Sequence, residues 1–162
     1  MTHETSDTLA VKLRWAVREL GPFDGICPRD CSLCEEKETL VLIPGEAETI
    51  AEEVGADAAV KGSLLRMLKD ADGSDKACPM QCTACKSCEI YPTRPIDCRS
   101  FPVVPEFSAD GRVQVRVSRS YCPIADDLPD GFVQTVQRVW QELSPHLPDD
   151  WKRRYNATPS PT

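Results

Sequence analysis

Cysteine spacing is the feature that most constrains how this chain can fold. Residues 27–34, CPRDCSLC, and residues 78–85, CPMQCTAC, share the pattern C-P-x-x-C-[ST]-x-C. Thiols separated by two or three residues in such loops are typical of proteins that direct several sulfurs at one metal ion or cluster. Cysteines that only fill a hydrophobic core are not expected to gather at these intervals among prolines and charges. The repeated pattern therefore predicts loops organised around bound metal.

Nine cysteines in 162 residues supply the candidate ligands. The candidate metal ligands are Cys27, Cys31, Cys34, Cys78, Cys82, Cys85, Cys88, Cys98 and Cys122. A single shared centre would place the first triad near several of the later cysteines, namely Cys78, Cys88, Cys98 and Cys122, because thiolates crowd together only around a cation. The spacing leaves open whether the sulfurs form one centre or two. The two histidines, His3 and His146, lie near the chain ends and are expected to be exposed rather than to bind metal.

The ligand type restricts the metal. All-thiolate sites favour zinc or iron–sulfur clusters and exclude magnesium and calcium. Structural zinc most often uses two C-x2-C pairs, whereas triplets such as C-x3-C-x2-C are more typical of iron–sulfur clusters. We therefore predict an iron–sulfur cluster, a [4Fe–4S] cluster in first place, with zinc as the alternative. The odd number of cysteines argues against a complete disulfide framework.

Composition and charge exclude several classes of partner. The formal net charge of −7 gives no general attraction to nucleic acid or to an anionic membrane surface. No segment approaches the roughly 20 apolar residues that a membrane span requires, and the N-terminus lacks the pattern of a secretory signal. We expect a cytoplasmic protein without nucleic-acid or membrane partners, whose thiols stay reduced. A partner protein is left as an open alternative.

Hydrophobic periodicity predicts a mixture of helices and strands. The predicted elements are a helix over residues 8–20, a strand over 40–43, a helix that Pro44 opens, a helix over 58–69, a hairpin of 103–107 and 112–119, and a helix starting at Asp130. In the helix after Pro44, the carboxylates of Glu46, Glu48, Glu52 and Glu53 are expected to form a solvated face.

The chain length and the 41% hydrophobic content suit one domain. Residues 8–144 are predicted to form a small single α+β domain, in which helices pack on a short antiparallel β element and irregular cysteine-rich loops bind the metal. Residues 1–7 and 145–162 are predicted to be flexible, because the tail from Pro145 is polar and rich in proline.

The segment CEIYPTRPIDCRSFP, residues 88–102, resembles the signature of the YkgJ-type cysteine-cluster family, also called the CxxCxxCC family of zinc- or iron-chelating domains. The positions that carry the resemblance are Cys88, Ile90, Tyr91, Arg94, Pro95, Cys98, Arg99 and Pro102. The first triad is followed by LVLIPGEAETIAEEV, which is similar to the apolar strand and acidic helix of the family. Cys78-Pro79 and Cys122-Pro123 are similar to its other Cys-Pro positions.

The resemblance covers residues 25–125 and implies metal or iron–sulfur binding. It implies no particular reaction, because most members have none assigned, although some related domains are implicated in protein lysine methylation. The chain departs from the family in lacking the adjacent cysteine pair of the first cluster. Cys82 and Cys85 look like extra residues between two family positions, so the number of ligands is left open.

Arg94 and Arg99 flank Cys98 and are candidate cofactor-binding residues. A cluster held by thiolates is anionic, and a guanidinium beside it can donate hydrogen bonds to sulfur and offset the charge. The alternative is that these arginines pair with a carboxylate such as Asp97 or Glu89.

Other functional classes fit the sequence less well. The spacing in CPRDCSLC also resembles the cluster loop of radical S-adenosylmethionine enzymes, but their barrel needs a longer chain with repeated βα units. A zinc-stabilised interaction module, with partner contacts through the acidic surface or the helices of Trp15 and Trp140, is a second alternative. Both tryptophans are, however, expected to pack in the core. A nucleophilic enzyme would need a histidine base near its nucleophile, and the two histidines of this chain lie near its ends, so this class fits poorly.

Overall fold

The computed structural model of the chain describes residues 2–23, 39–46, 60–61, 64–66, 68–69, 75–76, 94–118 and 125–157. The helices are α1 (Thr2–Leu20), α2 (Ile96–Ser100), α3 (Phe132–Leu143) and α4 (Asp149–Ala157), with 3-10 turns at Gly21–Phe23 and Ser144–His146. The strands are β1 (Thr39–Val41), β2 (Val60–Lys61), β3 (Leu64–Arg66), β4 (Leu68–Lys69), β5 (Asp75–Lys76), β6 (Val103–Phe107) and β7 (Val113–Val117).

The described strands all pair in antiparallel fashion. β1, β3 and β2 form a three-stranded sheet in that order, β4 pairs with β5, and β6 pairs with β7. Helices combined with antiparallel strands make this an α+β arrangement, as the sequence predicts. None of the described helices combines the length and the hydropathy that crossing a membrane requires.

The predicted hairpin is confirmed as β6 and β7. Its register pairs Val103 with Val117 and Phe107 with Val113. Between the strands, the Gly111 N–H donates to the Ser108 carbonyl at 3.1 Å, and Gly111 has a φ of 87°. A positive φ costs glycine little, so the Asp-Gly pair closes the hairpin as its turn chemistry predicts.

The core forms where α1, α3, α4 and the hairpin meet. All five residues of the predicted apolar stripe on α3 are buried: Phe132, Val136, Val139, Trp140 and Leu143. The ring of Phe107 makes edge-to-face contacts with Trp140, Trp151 and Tyr155 at centroid distances of 5.8, 5.7 and 5.5 Å. Trp140 is therefore a core residue, as predicted, and Trp15 packs half-buried against the core.

Within the tail that the sequence predicts to be flexible, residues 149–157 form α4. Trp151 and Tyr155 are buried in the core, four positions apart on one face of this helix. The polar, proline-rich composition of the tail conceals this pair, because composition averages over both faces of a helix. α1 also begins at Thr2 rather than at residue 8. Residues 158–162 lie outside the described residues.

The prediction of a helix over residues 58–69 is wrong for the described part of this range. The described residues form the strands β2, β3 and β4. β3 pairs with β1 on one side and with β2 on the other, so backbone pairing replaces the helical hydrogen bonds. Helix propensity is a weak preference that tertiary pairing overrides. The predicted strand over 40–43 is shorter than expected and ends at Val41.

Candidate metal-binding site

Of the nine candidate ligands, Cys98 falls within the part of the chain that the structure describes, on α2. The other eight lie outside the described residues: Cys27, Cys31, Cys34, Cys78, Cys82, Cys85, Cys88 and Cys122. The predicted convergence of the first triad on the later cysteines therefore remains a prediction. Arg94 and Arg99 are both described.

Prolines set both ends of α2. Pro95 is the N-cap residue, with φ −58° and ψ 157°, and it needs no N–H partner. Phe101 ends the helix in an extended conformation, with ψ 135°, because the following Pro102 disfavours a helical residue before it. The PIDCRSFP sequence thus limits the helix to five residues. A helix this short is unstable by itself and depends on its packing.

Cys98 is the one residue of α2 that is not fully buried. Ile96, Asp97, Arg99 and Ser100 are all buried, whereas Cys98 is half-buried. The helix therefore fixes four of its residues in the protein interior and keeps the thiol at its edge.

Two helices hold the buried side of α2 through hydrogen bonds. From α4, the Tyr155 hydroxyl donates to Asp97 Oδ1 at 2.7 Å. From α3, Trp140 Nε1 donates to Ser100 Oγ at 2.9 Å, and this hydroxyl donates in turn to the Ile96 carbonyl at 2.7 Å. Burial, with the charge and hydrogen bond of Asp97, raises the pKa of Tyr155 well above its usual value. Tyr155 is therefore a neutral donor at physiological pH.

Arg99 holds the loop that precedes α2. It is buried, and its Nε donates to the Arg94 carbonyl at 2.8 Å, which fixes the loop in front of α2. Its positive charge also lowers the pKa of Glu46. Hydrogen bonds from Arg94 or Arg99 to a cluster remain a prediction.

Glu46 joins the segment after β1 to the start of α2. Its Oε1 accepts a hydrogen bond from the Ile43 N–H at 2.7 Å, and its Oε2 accepts one from the Ile96 N–H at 2.8 Å. The expectation that Glu46 belongs to a solvated face is therefore wrong. Glu48, Glu52 and Glu53 lie outside the described residues.

A tight turn directs Glu46 inward. The Glu46 N–H donates to the Ile43 carbonyl at 2.9 Å, with Pro44 and Gly45 between them and a Gly45 φ of 101°. Proline followed by a glycine of positive φ is the pattern of a type II turn. Pro-Gly before an acidic residue is the signal by which the sequence could have indicated this contact. The remainder of the helix that Pro44 was predicted to open lies outside the described residues.

The electrostatic environment of Glu46 disfavours its charge. The pKa of Glu46 is raised from 4.5 to about 7, and the largest cause is burial, which exceeds the opposing effect of the two backbone donors, Ile43 and Ile96. The negative charge of Asp97 contributes to the rise, while the positive charge of Arg99 opposes it. Glu46 is thus a half-buried carboxyl group that titrates near neutral pH.

Within the described residues, no group of three or more histidine, cysteine or acidic side chains is arranged to hold a metal ion. Comparison with protein-family models, with curated proteins and with solved structures found no match to this chain. The resemblance to the YkgJ-type family accordingly stays a prediction from sequence.

Proposed function

We propose that this chain binds an iron–sulfur cluster or a metal ion through cysteine thiolates, with Cys98 as one ligand, in a redox, metal-handling or accessory role. The observation that carries the proposal is the burial pattern of α2, in which four residues are buried and the one half-buried residue is Cys98. The role of this helix is to fix one thiol.

The fixed thiol suits a metal ligand better than a packing residue. A cysteine used for packing behaves as a small hydrophobic residue and lies in the core. Cys98 is more exposed than its four neighbours in α2. Ligands that are held in place before the metal arrives bind it more tightly, and the bonds from Tyr155 and Trp140 supply such support.

Chain connectivity supports a centre that the first triad shares with Cys98. Cys34 stands five positions before Thr39 in the sequence. Five extended residues span about 18 Å at most. β1, which begins at Thr39, contacts α2. The residues available as donors are soft thiolates, which fit iron–sulfur clusters or zinc. A cytoplasmic location, which keeps thiols reduced, belongs to the same proposal.

The test is purification without oxygen, followed by iron, sulfide and zinc analysis with visible, EPR and Mössbauer spectra. We expect a brown protein with an iron–sulfur spectrum. Zinc in a colourless protein would instead support the zinc-stabilised interaction module. A protein that binds neither iron nor zinc when supplied with both would contradict the proposal.

Serine variants test which cysteines matter. We expect Cys98→Ser and Cys31→Ser to lose most of the bound metal, because a hydroxyl is a poor ligand for soft metals. Cys82→Ser serves as the matched control and should lose less. If Cys82→Ser and Cys85→Ser lose metal as completely as Cys98→Ser, the second triad forms its own centre. Unchanged metal content in every variant would contradict ligation by these thiols.

A further inference from the structure

We propose that Glu46 is a positioning residue for the Cys98 ligand, and that its carboxylate couples the segment following the first cysteine triad to the helix that presents Cys98. This inference rests on the proposed function. Glu46 has no thiol of the kind predicted to bind the metal, and it lies in a different part of the sequence from Cys98.

The two oxygens of Glu46 contact different segments of the chain. Oε1 accepts from the Ile43 N–H within its own turn, and Oε2 accepts from the Ile96 N–H, 50 positions away in sequence. Ile96 is the first residue of α2 and stands two positions before Cys98. A shift of the carboxylate therefore acts on the backbone that carries the thiol.

The turn that carries Glu46 is itself fixed to the core. Leu42 and Ile43 are buried, and the Leu42 carbonyl accepts a hydrogen bond from Trp151 Nε1 of α4 at 2.8 Å. Glu46 thus extends from a rigid segment rather than from a mobile loop tip. Cys34 precedes this glutamate by twelve positions in the sequence. One carboxylate therefore links the segment after the first triad to the first backbone amide of α2.

Glu46→Gln removes one of the two hydrogen bonds that Glu46 accepts, with little change in the shape of the side chain. The amide oxygen of glutamine can accept one of the two N–H bonds, but its NH2 group then faces the other N–H, donor against donor. The bridge is lost on one side while the side chain keeps its size. Glu106→Gln, which neutralises an exposed carboxylate on β6, is the matched control for charge. Val136→Ala, a truncation in the buried stripe of α3, is the control for lost stability.

The experiment is a cobalt(II) titration of the reduced 162-residue chain, followed by the thiolate-to-cobalt absorption bands. Wild type, Glu46→Gln, Cys98→Ser and the double variant form a thermodynamic cycle. We expect Glu46→Gln to weaken cobalt binding about tenfold when Cys98 is present. In the Cys98→Ser background the same change should have less than about a twofold effect, because no thiol remains on α2 to be positioned. The two control variants should bind cobalt as wild type does.

Equal effects of Glu46→Gln with and without Cys98 would overturn the inference, since a purely structural role predicts additivity. Wild type that binds no cobalt and no iron would overturn the proposed function, and this inference with it. The wild-type titration therefore tests the function, whereas the cycle tests the role of Glu46.

If Glu46→Gln does not fold, or if Cys98→Ser binds too little cobalt for a titration, hydrogen exchange in the wild-type chain provides the test. Coupling is reciprocal, so zinc binding at the thiols should strengthen the Glu46 bridge. We expect zinc to slow exchange of the Ile43 and Ile96 amides at least about tenfold beyond its effect on the hairpin amide of Val113. Equal slowing at all three amides would overturn the inference.

Discussion

Glu46 gains two amide donors on folding but loses much of its contact with water, and this loss is the larger effect, because its pKa rises from 4.5 to about 7. The folded protein therefore favours the neutral form of Glu46 more than the unfolded chain does. Asp97 and Arg99 face this carboxyl group with opposite charges, and neither reverses the effect of burial. A residue that positions α2 thus also carries a pH-dependent cost.

The contribution of Glu46 to the free energy of unfolding should fall as pH rises from 4.5 to about 7, the window set by its pKa values in the unfolded and folded protein. In this range the folded protein holds a proton that the unfolded chain has released, so raising the pH favours unfolding. The contribution of Glu46 is on the order of 3 kcal/mol. Urea unfolding of the metal-free chain at about pH 5 and about pH 8 measures it, with Glu46→Gln lacking this component. Identical pH dependence in both proteins would contradict the assignment.

Gly45→Ala should destabilise the fold by about 1–2 kcal/mol, because the φ of 101° places a side chain in the left-handed region. The cost is conformational rather than steric, since a Cβ at this position has no atom within 4 Å. Gly21→Ala is the matched control, because a Cβ there is equally free of contacts and no positive φ is involved. Urea unfolding should separate the two variants. Equal stabilities would show that the turn relaxes without strain.

The sequence predicts the helices and strands whose apolar residues follow a clear period. It does not predict the elements that form because of contacts with distant parts of the chain. β7 alternates apolar and polar residues, and α3 repeats apolar residues at helical spacing, so both patterns can be recognised in the sequence. α2 has five residues, too few for a helical period, and its hydrogen bonds come from Tyr155, Trp140 and Glu46. The same limit applies to the candidate site, where a resemblance in sequence makes Cys98 a candidate ligand but no pattern indicates the residues that hold its helix.

Ser100→Ala should lower the free energy of unfolding by about 1–3 kcal/mol, because it leaves the buried Trp140 N–H without its acceptor. Ser108→Ala in the exposed hairpin turn is the matched control and should change stability by less than about 0.5 kcal/mol. Chemical denaturation of both variants measures the difference. A Ser100→Ala protein as stable as the control would show that the α3 to α2 bond contributes little.

At the scale of the molecule, the candidate site lies where residues far apart in sequence meet. Leu42 contacts Trp151 across 109 positions, and Asp97 contacts Tyr155 across 58. Both partners belong to α4, so the C-terminal helix holds the turn of Glu46 and the helix of Cys98 at once. A chain that lacks α4 should therefore lose the arrangement of the site along with part of its core.

Trp151→Ala tests whether α4 belongs to the folded unit. Trp151 is buried, stacks on Tyr155 at 5.3 Å and donates to the Leu42 carbonyl. Removing a buried tryptophan costs about 3–5 kcal/mol, a large share of the 5–15 kcal/mol that typically stabilises a domain. We expect a correspondingly lower urea midpoint and weaker cobalt binding, because Tyr155 and Leu42 lose a common neighbour. The control is Arg153→Ala on the exposed face of the same helix, which should unfold and bind cobalt as the wild type does. If Trp151→Ala matches this control in both measurements, α4 is dispensable, and the flexible tail that the sequence predicts would describe the protein better than the packed helix does.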